Sequence, residues 1–406
     1  MNKIENLIKQ HCPDGVEFKK LGEVCEFRNG FAFKSSKFKR EGLPIIRITN
    51  IQNKNVDTTS LVFFDKKDYS ENILPYEIKK GDILVAMSGA TTGKIGCASF
   101  DMPAYLNQRV GKFIPVENEL NNRFLFHFLL SKTNEIYTMS GGGAQPNLSS
   151  VKLMQDIQIP VPPLTVQQEI VSILDKFTEL EAELEAELEA RKKQYNYYRE
   201  QFFTISDKRL MVTLGEIGTF TRGKRFVKND IVLKGIPCIH YGEMYTHYNI
   251  WADKTKSYIE PHLAKKLRLA HTTDVIIVAA GETIEDIGNA VAWLGKEDVV
   301  FHDACFAFSH KENPKYISYF MRTDFFRSQI KRNITSSKVS AINAIGLSKA
   351  KIPLPSLEEQ NRIVAILDKF DVLVNDISIG LPAEIKMRRQ QYEYYREKLL
   401  TFAEMK

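Results

Sequence analysis

Long apolar runs, a cysteine framework and intact catalytic signatures are what this chain lacks. No apolar stretch in its 406 residues reaches the ~18–20 positions that a membrane span takes. The opening MNKIENLIKQHCPDG carries no apolar signal-peptide core. Cysteine is scarce: Cys12, Cys25, Cys97, Cys238 and Cys305 are odd in number, far apart and without a CxxC pair. That pattern argues for reduced cytosolic thiols and against a disulfide frame or a cysteine zinc site.

Catalytic motifs fail on inspection. Gly89-Ala-Thr-Thr-Gly93-Lys94 follows a strand-like run, but a Walker loop needs one more residue before its Gly-Lys. It also needs Ser or Thr where Ile95 stands. The loop fits either a plain turn or a donor of N–H groups and Lys94 to a phosphate. Gly281-Glu-Thr-Ile-Glu-Asp-Ile-Gly288 carries acids where that lysine should be, so Glu282 or Glu285 would instead accept from a cytosine amine. Pro13-Asp14 with Glu17 and Lys19 lacks the strand length of a nuclease site. Pro162-Pro163 follows Val161, not the Asn or Asp of an aminomethyltransferase motif. The histidines are scattered singly. No catalytic residue, cofactor site or metal site is assigned to this chain.

What is present is an ordinary globular composition, 43% hydrophobic and 26% charged. The length suits two or three domains, each able to bury a core. The dominant feature is a duplication. IPVPPLTVQQEIVSILDKF (159–177) returns as IPLPSLEEQNRIVAILDKF (352–370), with 12 of 19 positions identical at an offset of 193. QYNYYRE (194–200) returns as QYEYYRE (391–397), with 6 of 7 identical at an offset of 197.

Each copy reads as one long helix. Its Pro-rich start cannot be helical interior. Thr165 with Gln168, and Ser356 with Glu359, fit capping boxes. Apolar residues then recur at three- and four-residue steps, about two per heptad. The seam residues expected to pair the helices or meet a partner are Leu174, Phe177, Leu184, Leu188, Tyr195 and Tyr198 in the first copy. In the second they are Leu367, Phe370, Tyr392 and Tyr395. A helix of roughly 39 residues is about 58 Å long, so it wants a partner of its own length, and the other copy is the obvious one. An unrelated coiled-coil partner is the alternative. The second copy holds four extra residues around Gly380-Leu-Pro-Ala383, where Pro382 should kink or interrupt it.

The repeat extends into the intervening segments. Leu21-Gly22-Glu23 matches Leu214-Gly215-Glu216. Phe27, Gly30, Gly42, Pro44 and Ile46 match Phe220, Gly223, Gly235, Pro237 and Ile239. Asp82, Gly89 and Gly96 match Asp274, Gly281 and Gly288 at an offset of 192. Strands are expected at 44–48, 82–87, 110–114, 274–279 and 306–309, and helices at 123–131 and 315–323. The fold class is therefore α+β: two similar mixed α/β domains separated by two long antiparallel helices. The boundaries are 1–157 and 206–350 for the domains, with 158–205 and 351–406 for the helical regions.

Charge divides along the same lines. Net charge is +4 over 1–157, −4 over 158–205, +6 over 206–350 and zero over 351–406. Nucleic acid would meet the globular parts, leaving the helices as protein-facing struts. Candidate base and phosphate contacts are Arg47, Asn50, Lys94, Gln108, Arg109, Gln145 and Asn147 in the first domain. In the second they are Arg222, Lys224, Arg225, His240, Tyr241 and Lys338. Their donor geometry suits base edges and phosphates. A rival reading is a bivalent protein scaffold with a helical stalk; the basic charge of the globular parts favours DNA.

Taken in order, the chain resembles the specificity subunit of type I restriction–modification systems over its whole length. The resemblance is carried by residues 159–164 and 352–357, each followed by a Gln (Gln167, Gln360) and ILDKF. Residues 15–23, 89–96, 107–110 and 143–149 also look like that family. The resemblance implies two target recognition domains, each reading one half of a split double-stranded DNA site. It implies antiparallel helices that separate them and dock two methyltransferase subunits, and through these the restriction subunits. It implies no catalysis by this chain: S-adenosylmethionine and ATP belong to partner subunits, in a bacterial or archaeal cytoplasm. The unit Leu-Glu-Ala-Glu repeated from Leu180 would then set the unread gap between half-sites, unless it is simply a good solvated helix former.

Overall fold

The computed structural model describes residues 2–52, 54–141, 146–204, 210–336 and 339–405. The chain forms two compact units, Met1–Leu184 with Ile385–Lys406, and Glu185–Glu384. Both unit boundaries fall inside helices, Leu164–Phe203 and Leu381–Leu400.

The first unit is built on a five-stranded sheet. Its strand order is Cys25–Asn29, Val110–Pro115, Ile83–Ala86, Ile95–Cys97, Lys54–Asn55. Ile83–Ala86 is an unbroken apolar run and all four residues are buried, which suits a strand covered on both faces. One face packs on the apolar helix Asn122–Ser131, on Val166, Ile170 and Leu174 of the long helix, and on Tyr392 and Leu399. Each such side chain contributes about 1.5–3 kcal/mol by burial. The other face packs on Ile46, Ile78, Ala104 and Leu106 of a four-stranded sheet. In that second sheet Leu43–Ile46 runs parallel to Ala104–Leu106.

The second unit repeats this order. Its five strands run Gly218–Arg222, Cys305–His310, Val275–Val278, Ala290–Trp293, Trp251–Ala252. A second sheet again sets two strands parallel, Ile236–Ile239 beside Val299–Phe301. A small sheet of Ala280–Gly281, Ser340–Ala341 and Thr335–Ser336 is added. Each expected strand and short helix is present within a few residues of its expected place.

One match in the duplication is corrected. Gly288 equates with Gly93, not Gly96. Gly93 and Gly288 have φ of +81° and +86°, and donate to the carbonyls of Ala86 and Val278, both at 2.9 Å. Gly96 instead sits mid-strand opposite Leu84, where Val291 sits opposite Ile276. The second unit has three more residues in the preceding loop, which hid this from a fixed offset.

The first long helix is continuous, Leu164–Phe203, 40 residues. Thr165 lies inside it rather than capping it; the Pro163 carbonyl takes the first amides, from Val166 (2.9 Å) and Gln167 (3.1 Å). Ser356 does cap the second copy, accepting from the Glu359 N–H at 3.3 Å. That second copy is not one helix but two, Leu357–Asn375 and Leu381–Leu400. The break is an Asp turn: the Asp376 carboxylate accepts from the N–H groups of Ser378 (2.7 Å) and Ile379 (3.1 Å). A Cβ on Gly380 would lie 2.4 Å from the Val372 oxygen, so the turn closes only on glycine. Pro382 falls in the first turn of the next helix, where its missing N–H costs nothing.

Candidate nucleic-acid interface

In the first unit, four loops converge beside the end of strand Ile83–Ala86. The turn 107–110 brings Arg109 over Ser88, with the guanidinium 3.2 Å from the hydroxyl. Ser88 bridges to Asn147. Thr92 reaches the Pro146 carbonyl at 3.3 Å, and Thr91 the Ile48 carbonyl at 2.9 Å. Lys94 lies 3.5 Å from the Gln52 side chain. Arg47, Lys94, Arg109 and Asn147 are thus brought to one loop cluster, with Gln108, Arg109 and Asn147 exposed.

Asn50 is corrected. It is 2% exposed, and its amide accepts from the Arg47 N–H and donates to the carbonyls of Asp57 and Ser60, all at 3.0 Å. Every polar atom is spent on the loop, so Asn50 shapes the site and offers nothing to a base. Gln145 lies outside the described residues.

In the second unit, Glu243 does what Asn50 does, accepting from the His240 N–H at 3.0 Å and bonding the Ser257 hydroxyl. His240 and Tyr241 adjoin, with ring centroids 4.8 Å apart. Arg222 donates to the Asp303 carbonyl and Lys224 to that of Lys266, both at 3.0 Å, and both side chains remain exposed. Arg225 is exposed beside them. Lys338 lies outside the described residues. Glu282 and Glu285 are exposed on the loop before Gly288.

Two elements were missed by sequence reasoning. Arg268 donates to the Arg222 carbonyl at 2.6 Å and brings Lys265 and Lys266 beside the basic run 222–225. The KKLR spelling of 265–268 was a legible charge signal. His302 packs on His240, Tyr241 and Phe226 with ring centroids 4.8, 5.0 and 5.3 Å away. Nothing in the sequence marked it. Burial keeps the pKa of both His240 and His302 below the ordinary value, against the pull of Glu243 and Asp303 respectively. The site thus stays uncharged at its rings and cationic around them.

The seam residues hold each unit to its own helices. Asp175 receives Arg123 (2.5 Å) and His127 Nε2 (2.7 Å), and the Tyr392 hydroxyl meets His127 Nδ1 at 2.9 Å. Burial opposes charge on Asp175, but the bonds from His127 and Arg123 outweigh it and lower its pKa to about 2. In the second unit Asp368 receives Lys315 and the Tyr319 hydroxyl, both at 2.8 Å. Phe177 stacks on Tyr395 with centroids 5.3 Å apart, and Phe370 on Tyr198 at 5.5 Å. Glu181, 7% exposed, takes Lys54 and Arg389 at 2.5 Å each. Partners of rising number on one helix have falling number on the other, so within the first unit these segments run antiparallel. Leu174, Tyr195, Leu367 and Tyr392 are buried, Leu184 and Leu188 half-buried, and Tyr198 exposed. Gln167 and Gln360 pin the helix starts, accepting from the N–H groups of Asn121 (2.8 Å) and Asn313 (3.0 Å).

Among the described residues no group of three or more His, Cys, Asp or Glu side chains is placed to hold a metal ion. Among them, too, no helix is long and apolar enough to cross a membrane. All five cysteines are unpaired.

Comparison with known proteins supplies the context. The family model described as "Type I restriction modification DNA specificity domain" matches residues 13–190 and again 207–387. A putative type I restriction enzyme specificity subunit of Haemophilus influenzae is 31% identical over 403 residues, 96% of each chain. A type I restriction enzyme specificity subunit of Escherichia coli is 38% identical over 262 residues, 61% of this chain and 63% of its own. The fold is shared with the S subunit of a type I restriction–modification system from M. genitalium. The TM-score is 0.55 at 16% identity, covering 95% of this chain and 96% of that one. It is also shared with a chain from a structural study of complex assembly in the type I system. There the TM-score is 0.61 at 16% identity, covering 96% and 98%.

Proposed function

We propose that this chain, which belongs to the type I restriction–modification DNA specificity family, reads a bipartite duplex target, one half-site per recognition unit. The observation that carries this reading is the twofold use of one scaffold with different side chains at equivalent loops. Two similar but non-identical readers on fixed struts recognise two non-identical half-sites at a set separation. In the first unit the reading groups are Arg47, Lys94, Gln108, Arg109 and Asn147, with Gln145 beside them in sequence. In the second they are Arg222, Lys224, Arg225, His240 and Tyr241, joined by Arg268, with Lys338 assigned from its place in the sequence. Arg and Lys anchor phosphates and guanine edges, and Asn and Gln match adenine.

The chain itself is non-catalytic in this reading. Two methyltransferase subunits dock on the helical regions and bring the restriction subunits with them. S-adenosylmethionine and ATP are bound by those partners, in the cytoplasm. The domain limits 1–157, 158–205, 206–350 and 351–406 are the working division for deletion and exchange.

The test is to map methylated bases in a host genome with and without this chain. The expected result is one split motif that is methylated only when the chain is present. Copurification with a methyltransferase subunit, and duplex binding that weakens with salt, should accompany it. An unchanged methylation map together with salt-independent binding would refute the proposal.

A further inference from the structure

The turns 107–110 and 302–305, each leading from one sheet of its unit to the other, occupy the same place and carry different chemistry. Gly30 donates to the Val110 carbonyl and Gly223 to that of Cys305, both at 3.0 Å. A Cβ on Gly30 would strike the Asn107 oxygen at 2.0 Å, and one on Gly223 the His302 oxygen at 2.2 Å. His302 therefore stands where Asn107 stands, and Ala304 where Arg109 stands. Arg47 and His240 are equivalent too, since each donates its backbone N–H to the side chain three residues on, both at 3.0 Å. The polar trio of the first unit, Arg47, Asn107 and Arg109, is exchanged for His240, His302 and Ala304.

His302 is the hub of the ring cluster. Its Nδ1 lies 3.1 Å from the Ala304 amide nitrogen and 3.0 Å from the Asp303 carboxylate. Phe226, 2% exposed, floors the cluster. His240 Nδ1 accepts from the Gly242 N–H at 3.3 Å. A ring nitrogen that accepts cannot carry the proton, so the neutral His240 ring bears it on Nε2 as a donor. Among the described residues neither His240 Nε2 nor the Tyr241 hydroxyl has a hydrogen-bond partner.

We propose that the second unit recognises a purine in its half-site with this ring platform, and that His302 is the residue that positions it. His240 Nε2–H would donate to purine N7, the acceptor both purines show in the major groove. The Tyr241 hydroxyl, donor and acceptor at once, suits the neighbouring O6 or N6. The inference rests on DNA reading by this unit and adds how that reading is done. Neutral contacts release no counterions, so they carry specificity without adding to the salt dependence.

The test uses the full chain assembled with its methyltransferase subunits and duplexes carrying the mapped target. Purines of the second half-site are replaced singly by 7-deaza analogues. One analogue should weaken wild-type binding about tenfold. His302→Ala should weaken binding of the cognate duplex by a similar factor and become indifferent to that analogue. It should leave the salt slope and discrimination at the first half-site unchanged. His302→Phe, which keeps a ring, should restore most of the loss. No effect of any analogue on the wild type overturns the proposal. So does equal sensitivity in the wild type and His302→Ala, or equal loss at both half-sites. If His302→Ala does not assemble, His240→Phe takes its place with the same expected indifference and the same contrary outcomes. Absence of salt-dependent duplex binding by the wild-type complex would instead refute DNA reading itself.

Discussion

Asp175 and Asp368 occupy one position in the two units and are held by different partners. Asp175 takes a guanidinium and an imidazole; Asp368 takes an ammonium and a phenol. The Phe–Tyr stacks and the buried glutamines beside them are the same in both. Where a unit grips its helices, geometry is kept and small chemical exchange is tolerated. At the loops that carry Arg47 and Arg109 the backbone is kept and the side chains change wholesale, to His240 and Ala304. Scaffold and loop side chains thus obey separate constraints: packing fixes the first, and the second are free to vary as long as the backbone closes.

The largest break in that comparison should come from the aspartates. Asp175→Ala leaves His127, fully buried, and Arg123 without their acceptor, and should cost about 3 kcal/mol. Asp368→Ala leaves the buried Tyr319 hydroxyl without its acceptor, while Lys315 keeps some water, and should cost about 1–2 kcal/mol. Hydrogen exchange of Asn122–Ser131 and Pro314–Phe320 reads each unit separately; equal losses would contradict the distinction.

The units should also differ in acid. Burial pushes His310 from 6.5 down to about 4, whereas Pro115 ends the equivalent strand of the first unit. The folded ring stays neutral where the unfolded ring takes a proton. Stability is therefore complete above about pH 6.5 and declines as pH falls toward 4, by up to about 3 kcal/mol. His310→Phe should flatten that slope in denaturant titrations across this range while leaving the first unit unaffected. A slope unchanged by the substitution would locate the acid sensitivity elsewhere.

A smaller effect should follow from Glu181→Val, which gives the first unit the residue the second carries at Val374. Lys54 and Arg389 lose their shared acceptor but keep some water, so the loss should be about 1–2 kcal/mol by thermal unfolding. Smallest is Arg109→Ala. It should lower the salt slope of duplex binding by about one and weaken only the first half-site, since Ala304 stands at the equivalent place. Unchanged affinity and salt dependence would remove Arg109 from the interface.

Much of this architecture was legible because its signals are local. Pro at the helix starts, the apolar run 83–86, and the repeated ILDKF and QYxYY spellings each dictate a backbone state or a buried face. Asn50 was misjudged because its type suits a base edge equally well as a buried turn, and only burial decides between them. Gly288 was paired with Gly96 because an insertion in an exposed loop shifts the offset without disturbing the strands. The break before Leu381 was foreseen from Pro382, yet Asp376 and Gly380 make it, through side-chain bonds and a close approach that spacing does not reveal. His302 and Arg268 are distant in sequence from the residues they join, so no window of sequence could group them.

The proposed function rests on two related units carried on the chain's own helices. Its most direct test is a variant with one Leu-Glu-Ala-Glu unit added after Glu183, assayed by mapping methylated bases across a genome. Four residues lengthen a helix by about 6 Å, near two base pairs at about 3.4 Å per step. The account predicts the same two half-sites with a longer unread gap. Altered half-sites with an unchanged gap would contradict it.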